Sequence, residues 1–264
     1  IARYVSLAKA RPMDRVNLYA IAASRIAIEH SGFDGDQRND LGIIVGTGYS
    51  GLGSAYEHTR KLHEQGIEKL SPINFPGTVF NASAGLAAIE LNLKGPNSTV
   101  TGTDLSGEYA LVHGQMLIQQ GSVSSIAVTG ADDLPAFQFR LFRTWRLLSA
   151  DKELAAISHA SRFQGATASE GGASLLVENA ESAAARGISP LAVIEGIGIV
   201  NEADRVFGYT DKTNALNAAI DRALEQANIK EQDLAWISSA ANGLPALDTL
   251  EAKLYRERFE ASRL

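Results

Sequence analysis

The stretch Gly95-Pro96-Asn97-Ser98-Thr99-Val100-Thr101-Gly102-Thr103-Asp104-Leu105-Ser106-Gly107 constrains this chain more than any other. It reads as a buried strand, a tight turn of small residues and the start of a helix predicted over about Leu105 to Gln120. A strand running into a sharp turn presents the turn residue at the N-terminus of the next helix. There, unpaired N–H groups and the helix dipole favour negative charge. Enzymes use that construction to hold a Ser or Cys nucleophile. Here the tip is Asp104, a residue type that is also preferred as an ordinary N-cap. The turn surrounds a working nucleophile, a disabled one or a plain helix cap, and the rest of the chain must decide.

The flanking pattern alternates strands and helices. Apolar spacing from Met13 to Ser31 predicts an amphipathic helix, and the continuously apolar Leu41–Val45 predicts a strand covered on both faces. Helices are predicted from Leu52 to Gln65, from Asn81 to about Leu91, and around Phe139–Leu148, with a Pro-bounded loop at Ser71–Phe80. Further strands are expected at Ser125–Thr129, Ala173–Glu178, Ala192–Ile199 and Leu234–Ser238. Helices at Thr213–Asn228 and from about Leu247 complete the chain, and the polar residues 150–170 read as a mobile loop. This alternation predicts an α/β fold with mostly parallel strands.

Composition excludes several chemistries. The 264 residues are 45% hydrophobic, enough for one large domain or two small ones. A net charge of −6 argues against a nucleic-acid surface or a polybasic membrane patch. The chain has no cysteine, which removes disulfides, thiolate metal sites and any cysteine nucleophile. No apolar run approaches a membrane span, and no basic-then-apolar leader opens the chain, so a cytoplasmic location is expected.

An internal echo suggests duplication. Asn17…Ser24-Arg25…Glu29-His30, followed by Asp40-Leu41-Gly42-Ile43-Ile44, parallels Asn214…Asp221-Arg222…Gln226-Ala227, followed by Asp233-Leu234-Ala235-Trp236-Ile237. In both, a helix passes through a short linker into an apolar segment. Two related halves are expected, residues 1–188 and 189–264, the second incomplete, forming one structural unit overall.

Other motifs fail on their surroundings. Gly46-Thr47-Gly48-Tyr49-Ser50-Gly51 spells G-x-G-x-x-G after a strand, but a helix follows where the dinucleotide fingerprint needs a second strand ending in an acidic residue. The five histidines show no ligand spacing, His63-Glu64 lacks a second His, and no G-x-S-x-G is present. Neither a metal nor a cofactor is expected.

Gly95-Pro96-Asn97 followed by strand, turn and Ser106-Gly107 resembles the nucleophile region of β-ketoacyl synthases, the condensing enzymes of fatty-acid and polyketide assembly. Pro76-Gly77-Thr78-Val79-Phe80-Asn81-Ala82-Ser83-Ala84-Gly85, Val128-Thr129-Gly130-Ala131-Asp132 and Glu170-Gly171-Gly172-Ala173 resemble further segments of that family in the same order. The resemblance implies a thiolase-like α/β/α/β/α fold with two pseudo-repeated halves, usually dimeric. It also implies that Val79 and Phe80 lie near the acyl pocket and the dimer interface; packing in the core is the other reading of these two residues.

The departures bear on function. Family enzymes carry a cysteine where this chain has Asp104, and a His-Gly-Thr-Gly-Thr segment where it has Ala240-Ala241-Asn242-Gly243-Leu244-Pro245, with Ala240 at the His position. A lone carboxylate attacks a thioester poorly, and an alanine methyl neither stabilises an enolate nor carries a proton. No catalytic residue is therefore assigned. Chain-length factors of type II polyketide systems are the resembling subclass without a nucleophile, and Pro245-Ala246-Leu247-Asp248-Thr249-Leu250-Glu251-Ala252 is similar to their Pro-x-Leu-Asp-x-x-Glu-Ala segment. They usually carry Gln at the nucleophile position, so Asp104 departs from that pattern too. The resemblance implies a subunit, of aryl-polyene type by analogy, that pairs with an active ketosynthase and meets acyl carrier protein. Val79, Phe80 and Asp104 would then sit at the acyl tunnel or the interface. Two alternatives stand beside this: an enzyme that hydrolyses acyl thioesters or decarboxylates malonyl groups with Asp104, and a scaffold that binds acyl carrier protein.

Overall fold

The computed structural model describes residues 3–33, 35–149, 165–202 and 212–259. The apolar run beginning at Leu41 forms β1, Gly42–Gly46, every residue of which is buried. Its side chains alternate between two cores. Ile43 and Val45 pack with Val16, Ala20, Ile21, Ala84 and Ala127, while Ile44 packs on the opposite face with Ala110, Ile126 and Val128. The absence of apolar–polar alternation in β1 thus follows from helices covering both faces.

Those helices are α2 (Arg15–His30) and α4 (Ala82–Leu91) on one face and α5 (Ser106–Gln119) on the other. A short α1 (Leu7–Ala10) precedes them, and α3 (Leu52–Gln65) has the bounds that the sequence predicts. The Pro-bounded segment is wound into a 3-10 turn at Pro72–Thr78.

The sheet has the order β2-β1-β3-β4, with β2 at Asn97–Val100, β3 at Ser125–Asp132 and β4 at Gly171–Glu178. β1 pairs in parallel with β2 (Ile43 opposite Asn97) and with β3 (Ile43 opposite Ala127). β4 runs antiparallel to β3, with Ser125 opposite Glu178. The strand leading to Asp104 is therefore an edge strand, exposed at Asn97 and half-buried beyond it, rather than the buried strand that its composition suggests.

A short helix α7 (Ala180–Ala185), which the sequence reading does not anticipate, follows β4 and is capped by the Asn179 side chain accepting from the Ser182 N–H. Just beyond it Arg186 pairs with Glu178 at 2.8 Å, donates to the Ser31 carbonyl at 3.1 Å and lies over the Phe33 ring at 3.8 Å. Burial alone would raise the Glu178 carboxyl, but hydrogen bonds from Arg186 and Ser182 bring it below its ordinary value.

The chain divides into two compact units, Ile1–Gln138 with Ser169–Pro190, and Phe139–Ala168 with Leu191–Leu264. Helix α6, Ala136–Thr144, starts and stops earlier than predicted. In the second unit, α8 (Asn214–Ala227) and α9 (Pro245–Arg258) are tied by Arg258, which reaches the Asn217 carbonyl, Asp221 and Glu231.

The expected strand at 192–199 is absent. The Ile197 N–H instead donates to Gln226 Oε1 at 2.7 Å, and the Ile199 carbonyl accepts from Arg222 at 2.6 Å. Side chains of α8 thus take over hydrogen bonds that a ladder would otherwise satisfy. Leu234–Ser238 is likewise not assigned as a strand, and Trp236 on it is 74% exposed. In element order, α2, a 3-10 turn and β1 in the first half stand beside α8, a 3-10 turn at Glu231–Asp233 and an extended Leu234 in the second. Residues 150–164 of the expected loop lie outside the described residues.

Candidate functional site

Three loops meet at the carboxyl ends of the parallel strands, where open α/β sheets build their sites. The first follows β1 at Thr47–Ser50, the second follows β2 at Thr101–Leu105, and the third begins at Asp132, the last residue of β3. The Thr47 N–H donates to the Val100 carbonyl at 3.0 Å, joining the first two.

The turn that carries Asp104 is held by its neighbours. Ser106 Oγ accepts from the Gly102 N–H at 2.9 Å and donates to the Thr103 carbonyl at 2.7 Å, closing the turn on itself. The cap expected of Asp104 is not formed: Leu105 stands at the N-cap of α5, where no side-chain cap bond is made, and Ser106 clasps the turn instead. Thr103 has φ +50°, a left-handed conformation that a β-branched residue adopts only when its surroundings impose it. The surroundings include Gly46, where a Cβ would sit 2.1 Å from the Ser106 carbonyl oxygen. Only glycine at the end of β1 lets α5 begin so close to the sheet.

Asp104 occupies the middle of a single 3-10 turn, Thr103–Leu105, and is exposed. Among the described residues its carboxylate has no hydrogen bond or ion pair. Val79 and Phe80 lie between the 3-10 turn Pro72–Thr78 and α4, at 42% and 45% exposure.

Asp132 has a role that the sequence reading does not assign. Its carboxylate accepts from the Thr47 hydroxyl at 2.7 Å, from the Gly48 N–H at 2.9 Å and from the Tyr49 N–H at 2.9 Å. The G-x-G-x-x-G loop thus spends its anion-binding donors on a carboxylate of its own chain, which accounts for the failed dinucleotide fingerprint. A polar residue closing an apolar strand was the available signal.

A second acidic group surrounds the start of α2. Asp133 is 8% exposed and accepts from the Val16 N–H, so it caps α2 in place of Asp14, whose own side chain makes no cap bond. Burial, reinforced by the charge of Asp14, pushes the Asp133 carboxyl up to about 6. Nearby, Glu170 pairs with Arg15 at 2.8 Å and accepts from the Tyr19 hydroxyl at 2.9 Å. Burial and that hydrogen bond raise the Tyr19 phenol. A cavity of about 410 Å³ opens beside Asp133, lined also by Met13, Tyr56 and Phe137, whose ring stacks on Tyr56 at 4.4 Å.

In the second unit Ala240 is exposed and its N–H donates to Glu251 Oε1 at 2.9 Å. The N–H groups of Asn242 and Gly243 each donate to the Asp248 carboxylate at 3.1 Å. Asp248 and Glu251, both on α9 and both 7% exposed, therefore hold the Ala240–Gly243 loop by its backbone. Burial and the Glu251 carboxylate raise the Tyr255 phenol, whose hydroxyl donates to Glu251 at 2.6 Å. Asp104 belongs to the first unit and Ala240 to the second. Among the described residues no three His, Asp or Glu side chains group to hold a metal ion, and no helix is long and apolar enough to cross a membrane.

Comparison with known proteins places these features in a family. Residues 3–183 match the β-ketoacyl synthase N-terminal domain and residues 191–263 match its C-terminal domain. The 3-oxoacyl-[acyl-carrier-protein] synthase 2 of Staphylococcus aureus is 26% identical over 98% of this chain, which spans 66% of that protein's length. A β-ketoacyl synthase from Burkholderia phymatum STM815 superposes with a TM-score of 0.86 at 24% identity, covering 98% of this chain and 64% of that one. The ishigamide ketosynthase/chain length factor structure gives a TM-score of 0.82 at 24% identity, covering 96% and 62%. The fold is thus thiolase-like, with a four-stranded mixed sheet in the first unit. Matched across both of its domains, the chain belongs to the β-ketoacyl synthase family.

Proposed function

We propose that this chain is a non-catalytic, chain-length-factor-like subunit that pairs with an active β-ketoacyl-acyl-carrier-protein synthase. Its role is to shape the partner's acyl tunnel in type II polyketide or fatty-acid-like biosynthesis. One observation carries the reading: the strained turn at Thr103 and its Ser106 clasp are intact, while its tip holds an exposed aspartate in a chain without cysteine. A carboxylate attacking a thioester would expel a thiolate and leave a mixed anhydride, an intermediate more reactive than its precursor. The loop around Ala240 adds to this, since its hydrogen bonds go from backbone amides to Asp248 and Glu251 and Ala240 itself carries no group that could move a proton. Similarity to a structure described as a ketosynthase/chain length factor also supports the reading. In this role Val79 and Phe80, both exposed here, present apolar surface to the partner and its acyl chain.

Co-expression with candidate ketosynthases, followed by native mass spectrometry and a condensation assay on malonyl- and acyl-carrier protein, tests the proposal. A heterodimer that condenses, beside an isolated chain that does not, is the expected result. Turnover by the isolated chain would make Asp104 an enzyme's group. Binding of acyl carrier protein without any ketosynthase complex would make the chain a scaffold.

A further inference from the structure

We infer that Ser50, Ser83 and Asn17 are positioning residues, which set the pose of the Val79–Phe80 segment through a buried hydrogen-bond relay at its base. The inference rests on the proposed subunit role, in which those two apolar side chains meet the acyl chain.

Between Ser50 and Ser83 the chain makes a long excursion through α3 and the two 3-10 turns that follow it. Not one of residues 52–81 is buried, so no core side chain anchors the excursion along its length. Its two ends, by contrast, are buried at Ser50 and Ser83. There the two hydroxyls meet at 2.7 Å, and Ser83 Oγ donates to Asn17 Oδ1 at 2.8 Å. A hydroxyl has one proton and an amide oxygen only accepts. Ser83 therefore spends its proton on Asn17, and the Ser50 hydroxyl donates to Ser83. Asn17, itself buried on α2, thus ties both ends of the excursion to a core helix.

The relay acts on Val79 through the backbone. Gly51, next to Ser50, has φ +75°, and a Cβ built on it would lie 2.8 Å from the Val79 carbonyl oxygen. Only glycine there lets the Val79 backbone lie against the start of α3. The Ala82 N–H donates to the same carbonyl at 3.1 Å. In the other direction the Ser50 N–H donates to Thr47 Oγ1 at 3.0 Å, and the Thr47 hydroxyl donates to Asp132. A Cβ on Gly48 in this loop would lie 3.3 Å from the Thr103 carbonyl oxygen. One short loop thus registers the Val79–Phe80 segment against the Asp104 turn. In an acyl tunnel, the distance between those two places sets how far a chain extends. Removing the Ser83 hydroxyl leaves Asn17 Oδ1 without its donor and Ser50 without its acceptor, in buried surroundings.

The test compares Ser50→Ala and Ser83→Ala with Ser24→Ala. Ser24 also sits on α2 and meets the buried Thr129 hydroxyl at 2.7 Å, a contact of the same kind away from the excursion. Amide exchange on the full chain, read by mass spectrometry, should quicken at least about tenfold over residues 71–85 in the first two variants and stay unchanged in β1. Ser24→Ala should leave residues 71–85 as in the parent. Reconstituted with an active ketosynthase, Ser50→Ala and Ser83→Ala should shift the product-length distribution, and Ser24→Ala should not. Should Ser83→Ala fail to fold, Ser50→Ala, which keeps the bond from Ser83 to Asn17, decides. Unchanged exchange in the serine-relay variants, or the same quickening in Ser24→Ala, would overturn the inference. So would unaltered product lengths from variant pairs that still condense, with the subunit role left standing. A parent chain that forms no heterodimer would instead remove the subunit role, and the exchange comparison would then decide the positioning by itself.

Discussion

Gly46 and Ser106 meet backbone to backbone: a Cβ built on Gly46 would lie 2.1 Å from the Ser106 carbonyl oxygen. This contact fixes where α5 begins relative to β1, and with it the turn that carries Asp104. Gly46→Ala should therefore push the helix start away from the sheet. The expected cost is about 2–3 kcal/mol, read as a lower urea midpoint at unchanged slope. An alanine variant as stable as the parent would mean that α5 shifts freely and that the turn is not held from below.

Asp132 should be among the most sensitive polar positions in the chain. Its carboxylate satisfies the Thr47 hydroxyl and the Gly48 and Tyr49 amides, so Asp132→Ala leaves those donors unpaired at once. A loss of about 2–4 kcal/mol is expected by chemical denaturation. Asp132→Asn, which keeps an acceptor but not the charge, should lose less. Equal losses for the two variants would show that the charge contributes nothing.

Asp133 gives the chain a pH-dependent stability with a definite sign. Its carboxyl is raised from 3.8 to about 6 by burial and by Asp14, against the opposing hydrogen bond from Val16 and the charge of Arg15. The folded state therefore holds a proton that the unfolded state has released between those two values. The contribution of this group to stability is fully present below the unfolded value, falls as pH rises toward 6, and is absent above it. The size is on the order of 2 kcal/mol, and Asp133→Asn should flatten the profile between about pH 4 and 6 while retaining an acceptor for the Val16 N–H. An unchanged slope in that variant would assign the pH dependence to other groups.

The proposed subunit role makes a paired prediction. Asp104→Cys should not give condensation by the isolated chain, because the loop at Ala240 still supplies no proton carrier. In a reconstituted pair, Phe80→Ala should lengthen the products by removing apolar bulk from the tunnel wall, as read by mass spectrometry of the released chains. Full activity of the Asp104→Cys chain alone, or identical product lengths from a stable Phe80→Ala complex, would count against the role.

Local pattern made much of this fold legible. The bounds of α3 and the burial of β1 follow from apolar spacing, because each reports how one short segment meets a core. The missing cysteine and the Ala240 position are also plain in the sequence, since chemistry depends on residue type. Pairing was not legible in the same way. The 192–199 segment has a strand's composition, yet Gln226 and Arg222 take its hydrogen bonds. β4 turns out antiparallel, and the strand before Asp104 lies at the sheet edge.

The sequence by itself thus determined the family, the α/β alternation and the absence of a cysteine nucleophile. Tertiary structure decided which polar groups hold the retained turn in place. Thr47 and Asp132 are 85 residues apart, and no local period reports a hydrogen bond across that distance. Thr103 adopts a left-handed conformation that its own β-branched side chain disfavours, because Ser106 and the close approach at Gly46 over-determine it. Residue type settles what a side chain can do, whereas strain and long-range hydrogen bonds arise only once distant segments are packed together.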